Sequence, residues 1–267
     1  MITLSDRLSR IENEIYDNEE YVIACDLILS VLQDNSVHWV VSDFIKIINF
    51  SKDCFPCKDG SGYSAATPHI INLANQLKVG YPKARSEIAE SLLDWIENHV
   101  ELIPDASVED LKLLVSLYEE LISRFPEEFS YGRWVSIYSG YSKRLHDLGL
   151  KEGSSTLLGL SVEAKKMQLQ ICQKYDLPSY WKRDFLIAET KMYLAELMLE
   201  IYRFDRNKFR MLFYEGEQLI GQCTLELHKF GTKMLQEHCL NLRTNFNSEH
   251  NDKGPSSIGE DHGFQSK

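Results

Sequence analysis

The stretch YSGYSKRLHD, residues 138–147, sets two adjacent cations, Lys143 and Arg144, among tyrosines in a chain of formal net charge −11. A phosphate dianion is held by a guanidinium fork, a second cation and hydroxyl or amide donors. In a helical protein those groups must arrive from several helices. Lys46 in FIKIINFSK, Lys52 at the end of that stretch, Tyr141 beside the basic pair, and Asn241 and Arg243 in NLR supply candidates. Each alone is more readily a solvated charge than a ligand, because charged side chains mostly face water. Their combination is what points to an anion site.

The second constellation is CFPC, Cys54–Cys57. A redox CxxC wants a preceding strand and a helix N-terminus that lowers the thiol pKa. Here a helix precedes it and a Gly-rich run follows. A zinc site wants four ligands, and only His69 lies near. The expectation is an exposed loop without metal. There is no phosphate-cradling Gly-rich loop ending in Lys-Ser/Thr, no HExxH, no GxSxG and no calcium loop. The eight histidines make no i,i+4 pair. The sequence therefore names no catalytic residue, metal or cofactor, and the expectation is a non-enzymatic binding protein. A small helical enzyme ranks last.

The bulk composition sets limits on partners. A chain of 267 residues with 43% apolar and 26% charged content is ordinary for a globular protein. Residues 1–150 hold 24 Asp and Glu against 13 Lys and Arg, while residues 151–267 hold 16 of each. An acidic half with no basic stripe argues against nucleic acid as partner. Apolar runs such as LILSVL, residues 27–32, fall well short of the roughly 20 residues of a membrane span. The charged, periodic N-terminus does not read as a signal peptide. The expectation is a cytoplasmic protein, with no membrane partner and with isolated cysteines reduced and buried.

Helices must position these groups. In LKLLVSLYEELISRF, Leu111, Leu114, Tyr118, Leu121, Ile122 and Phe125 fall on one stripe, and Ser107 with Asp110 makes a capping-box start. No run alternates with period two. The spacing predicts helices over roughly 3–16, 18–33, 35–52, 68–79, 83–103, 107–125, 129–148, 155–175, 179–203, 206–229 and 230–246. Short joints, most marked by proline, imply an all-α antiparallel helical array. Residues 53–67, DCFPCKDGSGYSAAT, read as an inserted loop, and 247–267 as a disordered tail behind a single domain, 1–246.

The order of elements resembles the 14-3-3 family, which is all-α, acidic, of nearly this length and ends in a disordered tail. The family's KGDYYRYLAE is similar to SGYSKRLHD, which sets Gly140 on its glycine and Arg144 on its phosphate-binding arginine; sliding by one residue sets Lys143 there instead. Its LLRDNLTLW is similar to HCLNLRTN, with Asn241 on the asparagine that holds the ligand backbone. RYDDMAACM is similar to EEYVIACDL, and SVAYKNVVGARR to VSDFIKIINFSK, which sets Lys46 on its pocket lysine. A second pocket arginine falls on Asp53, or on Lys52 after a shift of one. The family's tyrosine after the arginine falls on Leu145, and residues 53–106 match poorly.

The resemblance implies a concave groove that binds phosphoserine or phosphothreonine segments of client proteins, a signalling adaptor. Lys46, Lys52, Lys143 and Arg144 would face the phosphate, Asn241 the peptide backbone, and Leu235 and Leu242 an apolar wall. It implies a homodimer through the first helices, where CDLILSVL offers an apolar stripe. Phosphorylated at Ser256 or Ser257, the chain's own tail could return to the groove. The competing reading is a TPR- or HEAT-like scaffold for unmodified protein segments.

Overall fold

The computed structural model describes residues 3–58, 61–102, 106–175, 183–228 and 233–251. They form eleven α-helices: α1 (Leu4–Tyr16), α2 (Tyr21–Gln33), α3 (Val41–Cys54), α4 (Ser61–Gly80), α5 (Arg85–Leu102), α6 (Val108–Arg124), α7 (Tyr131–Glu152), α8 (Ser155–Lys174), α9 (Arg183–Phe204), α10 (Arg210–His228) and α11 (Lys233–Asn251). Among the described residues there is no strand, and the architecture is an all-α antiparallel array. None of the described helices is long and apolar enough to cross a membrane.

The chain divides into two compact units, Met1–Ala164 and Lys165–Lys267. The boundary falls inside α8. Helical periodicity shows which face of a helix is apolar but not which neighbour covers it. A division within a continuous helix therefore leaves no mark in the sequence.

In the first unit α1 and α6 both open on capping boxes. Thr3 and Asp6 satisfy each other's backbone N–H, and Ser107 and Asp110 do the same. Each helix packs on its successor and often on the next but one: α1 on α2 and α3, α3 on α5, α4 on α5 and α6, α6 on α7. Cys25, Ile28, Val31 and Leu32 of α2 are buried in this core. These four residues of the stripe expected to form a dimer surface are covered by the unit's own helices, while Leu27 and Leu29 stay partly exposed.

The expected loop at 53–67 is largely helical. α3 runs on to Cys54, a short 3-10 turn covers Phe55–Lys58, and α4 begins at Ser61. Cys54 is fully buried rather than exposed in a loop; the side chain of Cys57 lies outside the described residues. The small residues that suggested a loop serve close packing instead. A Cβ on Gly62 would stand 2.7 Å from the Phe55 ring. Phe55, Tyr63 and Trp95 meet edge-on with centroids 5.1, 5.9 and 4.9 Å apart. Trp95 donates its indole N–H to Thr67 (3.0 Å), whose hydroxyl donates to the Tyr63 carbonyl (2.7 Å). Pro68, expected at a joint, lies inside α4 on its exposed face, where the carbonyl that lost its N–H partner can meet water.

In the second unit α9, α10 and α11 pack together around Met192, Tyr202, Phe213, Ile220, Leu242 and Phe246. A Cβ on Gly216 would stand 2.8 Å from Phe246, so the glycine lets α11 approach α10 closely. α11 continues to Asn251, five residues into the expected tail, because Phe246 and Glu249 are buried and hold it. Ser256, Ser257 and the rest of that tail lie outside the described residues.

Candidate functional site

α7 carries the basic pair. Ser130 caps its N-terminus, its hydroxyl accepting from the Arg133 amide. Gly153, at φ 63°, ends it, and the Ser154 N–H reaches back to the Gly149 carbonyl at 2.8 Å. Successive helical residues point about 100° apart, so Lys143 and Arg144 cannot act as one clamp. Lys143 is exposed. Arg144 is buried, at 9% exposure, beside the α6 tyrosine Tyr118. Of the two alignments, the burial singles out Arg144 as the enclosed cation.

Gly140, one turn before Arg144, makes this enclosure possible. A Cβ there would lie 2.1 Å from the Tyr118 hydroxyl, so only glycine lets that phenol lie against α7. Burial pushes the Tyr118 phenol up to about 12, while the charge of Arg144 works in the opposite direction. The Tyr118 and Tyr141 rings lie 6.0 Å apart. Tyr141 donates to Glu119 at 3.2 Å, and burial followed by the Glu119 charge pushes its phenol upward as well. Arg144 itself is only partly satisfied. Its Nη1 lies 3.3 Å from Asp147 Oδ2, and its buried Nε has no acceptor. A buried guanidinium N–H without a partner is costly, and an anion could relieve that cost.

The other expected cations are placed differently. Lys46 is exposed on α3 and makes no ion pair among the described residues. Lys52, expected to face phosphate, pairs with Asp94 of α5 at 3.4 Å. Asp94 belongs to a stripe with Glu90 and Glu97, whose carboxylates take Arg133 of α7 at 3.1 and 3.7 Å. Spacings of four and three residues set all three acids on one face of α5. That face answers the neighbouring cations with carboxylates, so Lys52 is committed within the fold.

In the second unit Asn241 and Arg243 are exposed on α11. Leu235 and Leu242, expected to line an apolar wall, are core residues at 7% and 4% exposure, packed with residues of α9 and α10. They turn inward because an amphipathic last helix must bury its own apolar face.

Sequence reasoning gave Tyr118 only a place on the apolar stripe of α6 and passed over Asp147 and the acidic stripe of α5. The i,i+3 relation of Arg144 to Asp147 and the spacing of Glu90, Asp94 and Glu97 were both visible as patterns. The contact of Gly140 with Tyr118 was not, since it joins residues 22 positions apart across two helices. Among the described residues, no three His, Cys, Asp or Glu side chains come together as metal ligands would. The arrangement around Arg144 leaves one buried donor, its Nε, without an acceptor.

No family model matches the chain, and no curated protein matches it significantly. Among solved structures it aligns with a DHF58 filament at 12% identity and a TM-score of 0.31, over 92% of this chain and 95% of that one. It also aligns with the de novo designed helical repeat protein DHR64 at 13% identity and a TM-score of 0.27, over 93% and 96%.

Proposed function

We propose that the protein is a non-enzymatic adaptor of 14-3-3 type, whose first unit binds phosphoserine- or phosphothreonine-bearing segments of client proteins. The observation that carries this reading is Arg144, a buried guanidinium with one acceptor at 3.3 Å and a free Nε. Exposed Lys143 lies next to it in sequence, and exposed Lys46 on α3 makes no ion pair among the described residues. A phosphate that takes the Arg144 fork competes with Asp147 and gains the charge-assisted hydrogen bonds the fold leaves unmade. The reading carries with it a cytoplasmic protein that works as a homodimer. Sedimentation at micromolar concentration tests assembly: a species of twice 30.9 kDa is expected, and a 30.9 kDa species alone contradicts it.

Binding is tested by titrating paired peptides, one phosphorylated and one not. Hydrogen bonds to charged groups contribute about 1.5–3 kcal/mol, so a preference of about tenfold or more is expected. The acidic stripe of α5 favours a second reading, a TPR- or HEAT-like scaffold for unmodified segments. Lys52 and Arg133 face three carboxylates, Asp94, Glu90 and Glu97, so their surface is net acidic. Equal affinity for the two peptides would select it.

A further inference from the structure

Cys223 of α10 and Cys239 of α11 meet in the core of the second unit with their sulfurs 3.6 Å apart. Both are essentially without solvent exposure. Neither is bonded to another cysteine. The separation is a van der Waals contact, and a disulfide needs the sulfurs at about 2.05 Å. Small rotations of two side chains on adjoining helices would supply that approach. We propose that Cys223 and Cys239 are a peroxide-oxidisable dithiol that closes into a disulfide joining α10 to α11. The inference is independent of the phosphopeptide reading.

The two sulfurs have unequal roles. The Cys223 and Cys239 sulfurs share a hydrogen bond in which either can be the donor; with Cys223 donating, Cys239 is drawn toward thiolate against the opposing cost of burial. Thr224 adds to this. Its hydroxyl lies 2.6 Å from the Ile220 carbonyl and 3.2 Å from the Cys239 sulfur, so it can turn from one to the other as the thiolate forms. His238 and Arg243 contribute positive potential on the same helix. The Cys223 sulfur also lies 3.5 Å from the Ile220 carbonyl, which can accept only from a protonated thiol, and burial favours the same form. Cys239 is therefore the attacking sulfur and Cys223 the resolving one.

The oxidant is hydrogen peroxide. The Cys239 thiolate attacks one peroxide oxygen, the O–O bond breaks, and the departing hydroxide is protonated to water. The sulfur becomes a sulfenic acid, oxidised by two electrons while the peroxide is reduced. The Cys223 sulfur then attacks the sulfenic sulfur. The S–S bond forms, the S–O bond breaks, and the hydroxide leaves with the Cys223 proton as a second water. Two thiols and one peroxide give one disulfide and two waters. Burial sets the rate, since the peroxide enters only when α11 opens locally from α10.

The test treats the full folded chain with hydrogen peroxide, blocks the remaining thiols under denaturing conditions and maps the peptides. A cross-linked peptide joining Cys223 to Cys239 is expected in most chains, with the loss of two hydrogens. Cys25, Cys54 and Cys172 stay blockable, and dithiothreitol reverses the change. If Cys223 and Cys239 remain blockable thiols under peroxide that converts a free cysteine peptide fully, or pair elsewhere, the inference fails. Cys223→Ser removes the resolving sulfur, so Cys239 should stop at a sulfenic acid that dimedone captures. No capture in folded Cys223→Ser overturns the assignment of Cys239 as the attacking sulfur. Should that variant not fold, Cys223→Ala carries the same expectation, and the map of the parent chain decides the proposal by itself.

Discussion

Glu249 in the second unit and Arg144 in the first are both buried charges on long helices, and their surroundings differ in kind. Glu249 is clamped: Arg203 Nε and Arg206 Nη2 each reach one of its oxygens at 2.7 Å. Arg144 has one carboxylate at 3.3 Å and an Nε with nothing to donate to. A buried charge with its partners complete ties α9 to α11, and its role ends in the fold. A buried charge with partners missing costs stability for no structural return, and such a group is where a ligand can bind at a gain.

The contrast can be broken first at Glu249. Glu249→Ala strands two arginines, and denaturant unfolding should show a loss of about 2–3 kcal/mol. That is below the cost of breaking a fully enclosed pair, because both arginines reach solvent. A loss under about 0.5 kcal/mol would mean that the clamp holds nothing. Next comes Gly140→Ala. The added Cβ meets the Tyr118 hydroxyl at 2.1 Å, and that ring is buried and cannot swing aside. Overpacking should outweigh the gain in helix propensity by about 1–2 kcal/mol, and it should disturb Arg144 as well. Thermal unfolding of this variant checks it.

Arg144→Met is the informative opposite of Glu249→Ala. It replaces a half-satisfied cation with an apolar chain of similar length, so stability should change by less than about 1 kcal/mol in either direction. A loss of 2 kcal/mol or more, about what a structural buried pair would cost, would make Arg144 structural. The last effect appears only at high pH. The folded Tyr118 phenol is pushed up to about 12 from 10.0. The folded state therefore binds that proton more tightly than the unfolded chain does. The stability it contributes is complete below about pH 10 and is lost as pH rises toward 12. The stability difference between the parent chain and Tyr118→Phe should be constant below about pH 10, and the parent should lose stability relative to Tyr118→Phe as pH rises from about 10 toward 12.

Helix spans and their capping boxes could be read from the sequence because they are local: apolar spacing and a Ser or Thr three residues before an acid report on one turn at a time. Two classes of feature could not. Gly62 and Gly140 look like flexibility or a motif position, yet each is a contact point for an aromatic side chain elsewhere in the chain. Lys52 looked like a ligand because its partner, Asp94, lies 42 residues away on another helix. Leu235 and Leu242 looked like a wall because an amphipathic stripe is the same pattern whether it meets a ligand or a core. Arg144 was legible as a candidate from YSGYSKRLHD, but its burial and its free Nε were not.

In the proposed function Arg144 takes the phosphate of a client segment. Affinities of the parent chain and Arg144→Met for one peptide, with and without its phosphate, test it most directly. The account predicts that the parent prefers the phosphopeptide by about tenfold or more and that the variant, equally folded, binds both peptides alike. A folded Arg144→Met variant that keeps the preference, or a parent chain that shows none, would contradict it.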